Sequence, residues 1–220
     1  MTKVLLDRHG HVEGISPERF RGRTDLALTE RGEREAVAVA HRIASCWQPK
    51  AIYTSPLKRC IATAMAISAV CGTPTHVLSE LSDIDYGDWQ FKTYEEVKTA
   101  FPALFAAWLA AAHLIRFLRG ESLQDLVARS ANALRSILER HPDETVVAVA
   151  HDSVNRVLLM QLLDQPLSSY WRVAQDPCCV NEIEIDGAVV RVGSINETSH
   201  LDSAGPQASA LIDQGAHRRS

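Results

Sequence analysis

Long apolar runs are missing from this chain. The richest stretch, Phe101 to Leu118, is interrupted by Pro102, His113 and Arg116, so no segment reads as a membrane span. A basic excess is missing as well. The 23 lysines and arginines face 27 aspartates and glutamates, a net charge of -4, which argues against nucleic acid or an anionic membrane as the main partner. An anionic small molecule stays open, because a local arginine pocket can oppose the global sign. The five cysteines are odd in number and have no framework spacing. Free thiols in a reducing cytosol are the expectation for Cys46, Cys60, Cys71 and the vicinal Cys178-Cys179. No signal-peptide core precedes the first apolar run, and a cytoplasmic location is expected. No internal repeat is found.

What is present is ordinary globular content. The 220 residues, 46% hydrophobic and 23% charged, suffice for one large domain with a substantial core. A domain over residues 1–201 is expected, followed by a small, polar, disordered tail over 202–220.

Strands and helices alternate along the chain. Val4-Leu5-Leu6 reads as a strand, and Thr29 as the N-cap of a helix carrying Ala36-Val37, Ala40 and Ile43-Ala44. Pro49 closes that helix. Ala51-Ile52-Tyr53 is a second strand, and Pro56 suits the first turn of a helix that Gly72 and Pro74 stop near Cys71. Val77-Leu78 reads as a short edge strand. Leu81 to Trp89 is acidic and irregular. Tyr94 to Ala112 and Leu123 to Arg140 read as amphipathic helices, and Thr145 to Ala150 as a strand. Ser153 to Leu163 reads as a helix with Asp152 at its cap. Val180–Ile185 and Val189–Val192 read as a hairpin turning at Asp186-Gly187. This alternation predicts an α/β fold with a mostly parallel sheet covered on both faces, a three-layer α/β/α sandwich.

Three of these strands end in chemistry. Arg8-His9-Gly10 follows the first, Thr54-Ser55-Pro56 with Arg59 follows the second, and His151 follows Ala150. Parallel strands would carry all four side chains to one rim, where open α/β sheets bind ligands. Two guanidinium forks suit phosphate oxygens. A neutral imidazole is a competent nucleophile near neutral pH, so His9 or His151 could attack phosphorus while the other holds an equatorial oxygen. A leaving alkoxide then needs an acid. Asp83, Asp85, Asp88 and Asp152 are the candidates.

Leu6-Asp7-Arg8-His9-Gly10, Arg21 to Gly32, and Thr54 to Ala64 together resemble the histidine phosphatase superfamily, in the branch that contains cofactor-dependent phosphoglycerate mutase. Ile84 to Trp89, Gly120-Glu121-Ser122, Ala150-His151 and Asn196-Glu197-Thr198 followed by His200-Leu201 extend the match in order, over roughly Lys3 to Leu201. The resemblance implies the same three-layer fold. It also implies a phosphohistidine at His9, with Arg8, Arg59 and His151 completing the phosphate pocket. Arg21, in the Gly22 loop, reads either as a contact to phosphate or substrate or as a solvated loop arginine. Asp83, between Leu81 and Gly87, occupies the place of the proton donor, which is usually a glutamate. The activity implied is hydrolysis of a small phosphorylated metabolite with no metal or organic cofactor. A homodimer is compatible with the resemblance, though nothing in the sequence points to one directly.

The departures bear on the donor and the substrate. Val12 and Ile15 stand where threonine and asparagine are common, and His11 where an acid is common. His151 is followed by Asp152 instead of glycine. That pair resembles the acid phosphatase branch, where such an aspartate is the donor, so Asp152 competes with Asp83. Phe91 and Leu118-Arg119 replace a usual glycine and proline-glycine. Three other functions compete with hydrolysis: a phosphoglycerate-type mutase, a non-catalytic binder of a phosphorylated ligand, and a metal hydrolase built on His9-Gly10-His11 with His151-Asp152. The short segment between Trp89 and Glu121 favours hydrolysis over the mutase. The metal reading leaves Arg8 and Arg59 unexplained.

Overall fold

The computed structural model describes residues 1–204. Most of the expected tail therefore lies outside the described residues. Its first three residues complete a 3-10 turn over Ser199–Ala204.

Six strands form one sheet: β1 (Thr2–Arg8), β2 (Ala51–Thr54), β3 (Thr75–Val77), β4 (Thr145–Ala150), β5 (Val180–Asp186) and β6 (Val189–Glu197). Their order is β3-β2-β4-β1-β5-β6. The first four are parallel, with β4 beside both β1 and β2. The β5–β6 hairpin adds an antiparallel edge through β5 against β1. The expected mostly parallel sheet is found, and its three central strands are those whose ends carry Arg8-His9, Ser55 and His151.

Strand periodicity sorts the core into two layers. Val4, Leu6, Tyr53, Val146, Ala148 and Ile183 point to one face. There they meet helices α5 (Leu123–Arg140) and α6 (Asp152–Leu162) through Leu126, Ile137, Val154 and Leu158. Leu5, Ile52, Val147, Val149 and Val180 point to the other. They pack on α1 (Glu30–Cys46) and α2 (Lys58–Cys71) through Val39, Ile43, Ala64 and Ile67. The central strands are apolar on both sides because both sides are covered.

Local chemistry sets most boundaries. Thr29 caps α1 by accepting from the Gly32 amide. Gly72, in the left-handed region at φ 66°, ends α2. Four expectations are corrected. The helix expected over Tyr94–Ala112 is two, α3 (Tyr94–Ala100) and α4 (Pro102–Ala111). Pro102 forces non-helical backbone on Phe101 and begins the next helix at its first position. Pro56 precedes α2 instead of joining its first turn. His151, not Asp152, is the N-cap residue of α6, and Asp152 is its first helical residue. The hairpin turns at Gly187-Ala188, since Asp186 still pairs with Val189 and Gly187 has φ 58°. No helix among the described residues is long and apolar enough to cross a membrane.

Phe91 and Arg119, where glycine is usual, both keep positive φ values, 60° and 58°. The backbone retains the glycine conformation without the glycine, at a strain of about 1–2 kcal/mol each.

Candidate active site

β1 delivers Arg8 and His9 to the carboxyl rim, and β4 delivers His151 beside them. The His9 and His151 rings meet edge to face, centroids 5.2 Å apart. Arg59 reaches the same point from the first turn of α2. The four residues expected at one rim are thus together, all nearly or fully buried.

His9 has a defined tautomer. Its Nδ1 lies 2.7 Å from the Gly10 carbonyl oxygen, which can only accept. The proton therefore sits on Nδ1, and Nε2 carries the lone pair. Arg59 Nε donates to that Nε2 at 3.1 Å. Burial, then Arg59, His151 and Arg8, hold the His9 pKa well below the usual histidine value. A cation there would be stripped of water and set beside two guanidinium groups. His151 is held neutral in the same direction, by burial and then by Arg59. Its Nε2 is 2.9 Å from Ser55 Oγ.

Arg59 is gripped at its far end. Nη1 donates to the Thr24 carbonyl at 2.7 Å and Nη2 to the Gly22 carbonyl at 2.6 Å. This is the work of the Arg21-to-Gly32 stretch: its loop oxygens orient the guanidinium. A Cβ on Gly22, at φ 43°, would meet Gln90 Oε1 at 2.0 Å and the Ile84 carbonyl at 2.8 Å.

Asp83 and Asp152 have opposite environments. Asp83 is 3% exposed. Burial raises its pKa, although Arg59 and Ser153 pull the other way. Its Oδ2 lies 3.2 Å from Arg59 Nη2 and 3.7 Å from His151 Nδ1. Its Oδ1 accepts from Ser153 Oγ and from the Ile84 amide. Asp152 has its pKa driven far down. Burial alone would raise it, but Arg8, Arg156 and Arg21 outweigh burial. The environment shifts one carboxyl towards its protonated form and holds the other ionised.

Arg8, Arg21, Asp83 and Asp152 line a cavity of about 440 Å³, to whose lining the buried His9, Arg59 and His151 do not contribute. Arg21 is buried and donates to the Gly14 carbonyl at 2.7 Å. The cavity also exposes residues that sequence reasoning passed over. Arg156 sits one helical turn after Asp152, 3.8 Å from its carboxylate, and 5.3 Å from both the Tyr170 and Trp171 ring centroids. The Asp152–Arg156 spacing of four on a predicted helix was the available signal. Glu18, accepting from Tyr94 Oη at 3.0 Å, had none. Glu121 does not cap α5, which Ser122 does. It receives Arg129 Nε at 2.9 Å and the Asp85 amide at 2.9 Å, tying the Asp83 segment to α5. Among the described residues, no cluster of three or more metal-binding side chains is found.

Residues 4–198 match the family model described as histidine phosphatase superfamily, branch 1. The chain is similar to phosphoserine phosphatase 1 of Hydrogenobacter thermophilus, 31% identical over 91% of this chain and 95% of that protein. It is also similar to a metal-independent phosphoserine phosphatase of Arabidopsis thaliana, 28% identical over 93% of this chain and 85% of that one. Among solved structures, Bacillus stearothermophilus YhfR superposes with a TM-score of 0.87 at 32% identity, over 91% of this chain and all of that one.

Proposed function

The chain belongs to the histidine phosphatase superfamily, and from that premise we propose that it is a metal-independent phosphomonoesterase acting on a small phosphorylated metabolite. The observation that carries the mechanism is the pairing of two buried groups: a neutral His9 with its lone pair on Nε2, and an Asp83 whose pKa burial raises towards the protonated form that a donor needs.

His9 Nε2 attacks phosphorus as the ester P–O bond breaks. The phosphoryl group moves into the space between His9 and Arg59, exchanging the Arg59–Nε2 contact for one to a phosphoryl oxygen. Arg8, Arg59 and His151 hold the equatorial oxygens, where charge accumulates in the transition state. Asp83 gives its proton to the leaving alkoxide. Water then enters, Asp83 takes one of its protons back, and the phosphohistidine P–N bond breaks to release phosphate. Asp152 is a poor donor in this scheme, because the surrounding arginines hold it as a carboxylate. It serves instead as the counter-charge that lets Arg8, Arg21 and Arg156 share one wall. Arg21 contributes to substrate binding from the cavity side.

The cavity favours substrates with a second acidic group. Six arginines line it, Arg8, Arg19, Arg21, Arg31, Arg156 and Arg172, against the acids Glu18, Asp83, Asp152 and Asp176. Six arginines against four acids leave the lining cationic in a chain of net charge -4. The similarity to phosphoserine phosphatases makes phosphoserine the first substrate to try. The test is phosphate release from p-nitrophenyl phosphate and phosphoserine, wild type beside His9→Ala, with and without a strong chelator. Release that resists chelator and vanishes in the variant supports the proposal. Isomerised product without free phosphate would point to a mutase, and full activity in His9→Ala would refute the nucleophile.

A further inference from the structure

The segment 174–179 presses against the end of β1. The Arg8 amide donates to the Cys179 carbonyl at 3.3 Å, and the Cys178 amide donates to the Arg8 carbonyl at 2.9 Å. Arg8 Nη1 donates to the Gln175 carbonyl oxygen. This is the guanidinium's one hydrogen bond among the described residues, and its Nε is buried without a partner. One main-chain oxygen therefore orients the cation.

That oxygen is held by buried carboxamides. Gln175 and Asn181 form a reciprocal pair: Gln175 Nε2 donates to Asn181 Oδ1 at 2.8 Å, and Asn181 Nδ2 donates to Gln175 Oε1 at 2.9 Å. Asn155 Nδ2 adds a second donor to Gln175 Oε1 at 3.0 Å. Asn181 Nδ2 also donates to the Leu6 carbonyl of β1 at 2.8 Å. Asn196 joins from the other end of the hairpin. Its amide donates to Asn181 Oδ1 at 2.9 Å, and its side chain accepts from the Asp176 amide at 2.6 Å and donates to Asp176 Oδ2 at 2.8 Å. Asn155, Gln175 and Asn181 are at most 3% exposed. Apolar side chains would fill this space without the desolvation penalty that three amides incur. The network, paired throughout except at Asn155 Oδ1, instead specifies one geometry.

We propose that Gln175 is a positioning residue for Arg8. The carboxamide cluster fixes the Gln175 main chain, and its carbonyl oxygen sets the guanidinium for a phosphoryl oxygen. The carbonyl is a neutral acceptor that sets the direction of the guanidinium, while Asp152 supplies the shared counter-charge. The assignment rests on the phosphatase reading above.

A double-mutant cycle tests it. Gln175→Met and Asn155→Ala are each made alone and in an Arg8→Ala background. Inorganic phosphate affinity is read by calorimetry, kcat/KM on p-nitrophenyl phosphate by rate, and folding by melting temperature. Each single variant should weaken phosphate binding and lower kcat/KM by roughly 10- to 100-fold. Neither should reduce them further once Arg8 is gone. Equal losses with and without Arg8, or no loss, overturn the proposal. Should Gln175→Met fail to fold, Asn155→Ala, which removes one donor, carries the same cycle. A wild type that neither binds phosphate nor hydrolyses ester overturns the phosphatase reading itself. Loss of phosphate in Arg8→Ala but not in Gln175→Met overturns only the positioning role.

Discussion

Arg59 Nε donates to His9 Nε2 at 3.1 Å, on the lone pair the imidazole would use for attack. The contact requires a neutral imidazole, because two cations in a buried site would repel. It also makes Arg59 the natural partner of whatever binds at Nε2. Replacing His9 by Ala should lower phosphate release by about 10³-fold or more. Acid-quench trapping of a phosphoprotein should detect label on wild type and none on His9→Ala. Label retained in the variant would place the covalent intermediate elsewhere.

The pH dependence follows from the two buried groups. His9 must be neutral, and its pKa lies well below the usual value, so the acid limb of kcat/KM should fall below the ordinary histidine range. Asp83 must be protonated, and burial raises its pKa, so activity should decline as pH rises through that value. The expected profile is a bell whose acid limb lies below the ordinary histidine range and whose alkaline limb lies above the ordinary aspartate value. A profile that climbs steadily into alkali would remove Asp83 as the donor.

Leaving groups separate Asp83 from Asp152. Asp83→Asn should lower hydrolysis of an alkyl phosphate by roughly 10²- to 10⁴-fold. It should affect p-nitrophenyl phosphate much less, since p-nitrophenolate departs without a proton. Asp152→Asn should show no such dependence on the leaving group. Its effect should fall on KM, as Arg8, Arg21 and Arg156 lose their counter-charge. If the two variants exchange these signatures, the donor is Asp152.

Gly22 links loop geometry to the cation. Gly22→Ala combines left-handed strain of about 1–2 kcal/mol with a clash on Gln90 and the Ile84 carbonyl. The Gly22 oxygen that accepts from Arg59 must then shift. A fall in kcat/KM of roughly tenfold or more is expected, with a lower melting temperature. Unchanged rates would show that Arg59 does not depend on this loop.

Asp7 is a liability next to the site. Its carboxyl is fully buried on the α1–α2 side of the sheet with neither oxygen hydrogen-bonded, and burial pushes its pKa well up. The fold therefore favours its protonated form at pH values where the unfolded chain is already ionised. Its penalty is small below the ordinary carboxylate range and grows as pH rises towards the raised pKa. Asp7→Val should stabilise the protein by about 1–3 kcal/mol at neutral pH and by less in acid. Parallel melting curves of both proteins across pH would check it, and a less stable variant at neutral pH would contradict it.

Sequence alone determined most of the elements and their order. Short apolar runs, Thr29 and Gly72 are local signals, because hydrogen bonding and steric exclusion act over a few residues; the single helix expected over Tyr94–Ala112 overlooked the break at Pro102. It also supplied the members of the site: Arg8-His9, Arg59 and His151 each follow an apolar strand, and a parallel sheet brings strand ends together. What it left open was the choice between Asp83 and Asp152, since each is an aspartate in a loop or at a helix start. Tertiary structure separated their environments. Three arginines from β1, the Gly22 loop and α6 converge on Asp152, while Asp83 is buried against Ser153 with Arg59 as its ion-pair partner, and there burial outweighs the cations. The carboxamide cluster was equally hidden, because Asn155, Gln175, Asn181 and Asn196 are unremarkable until the hairpin folds onto β1. Electrostatic environment and buried polar pairing depend on which segments become neighbours, and that is fixed only once the whole chain has packed.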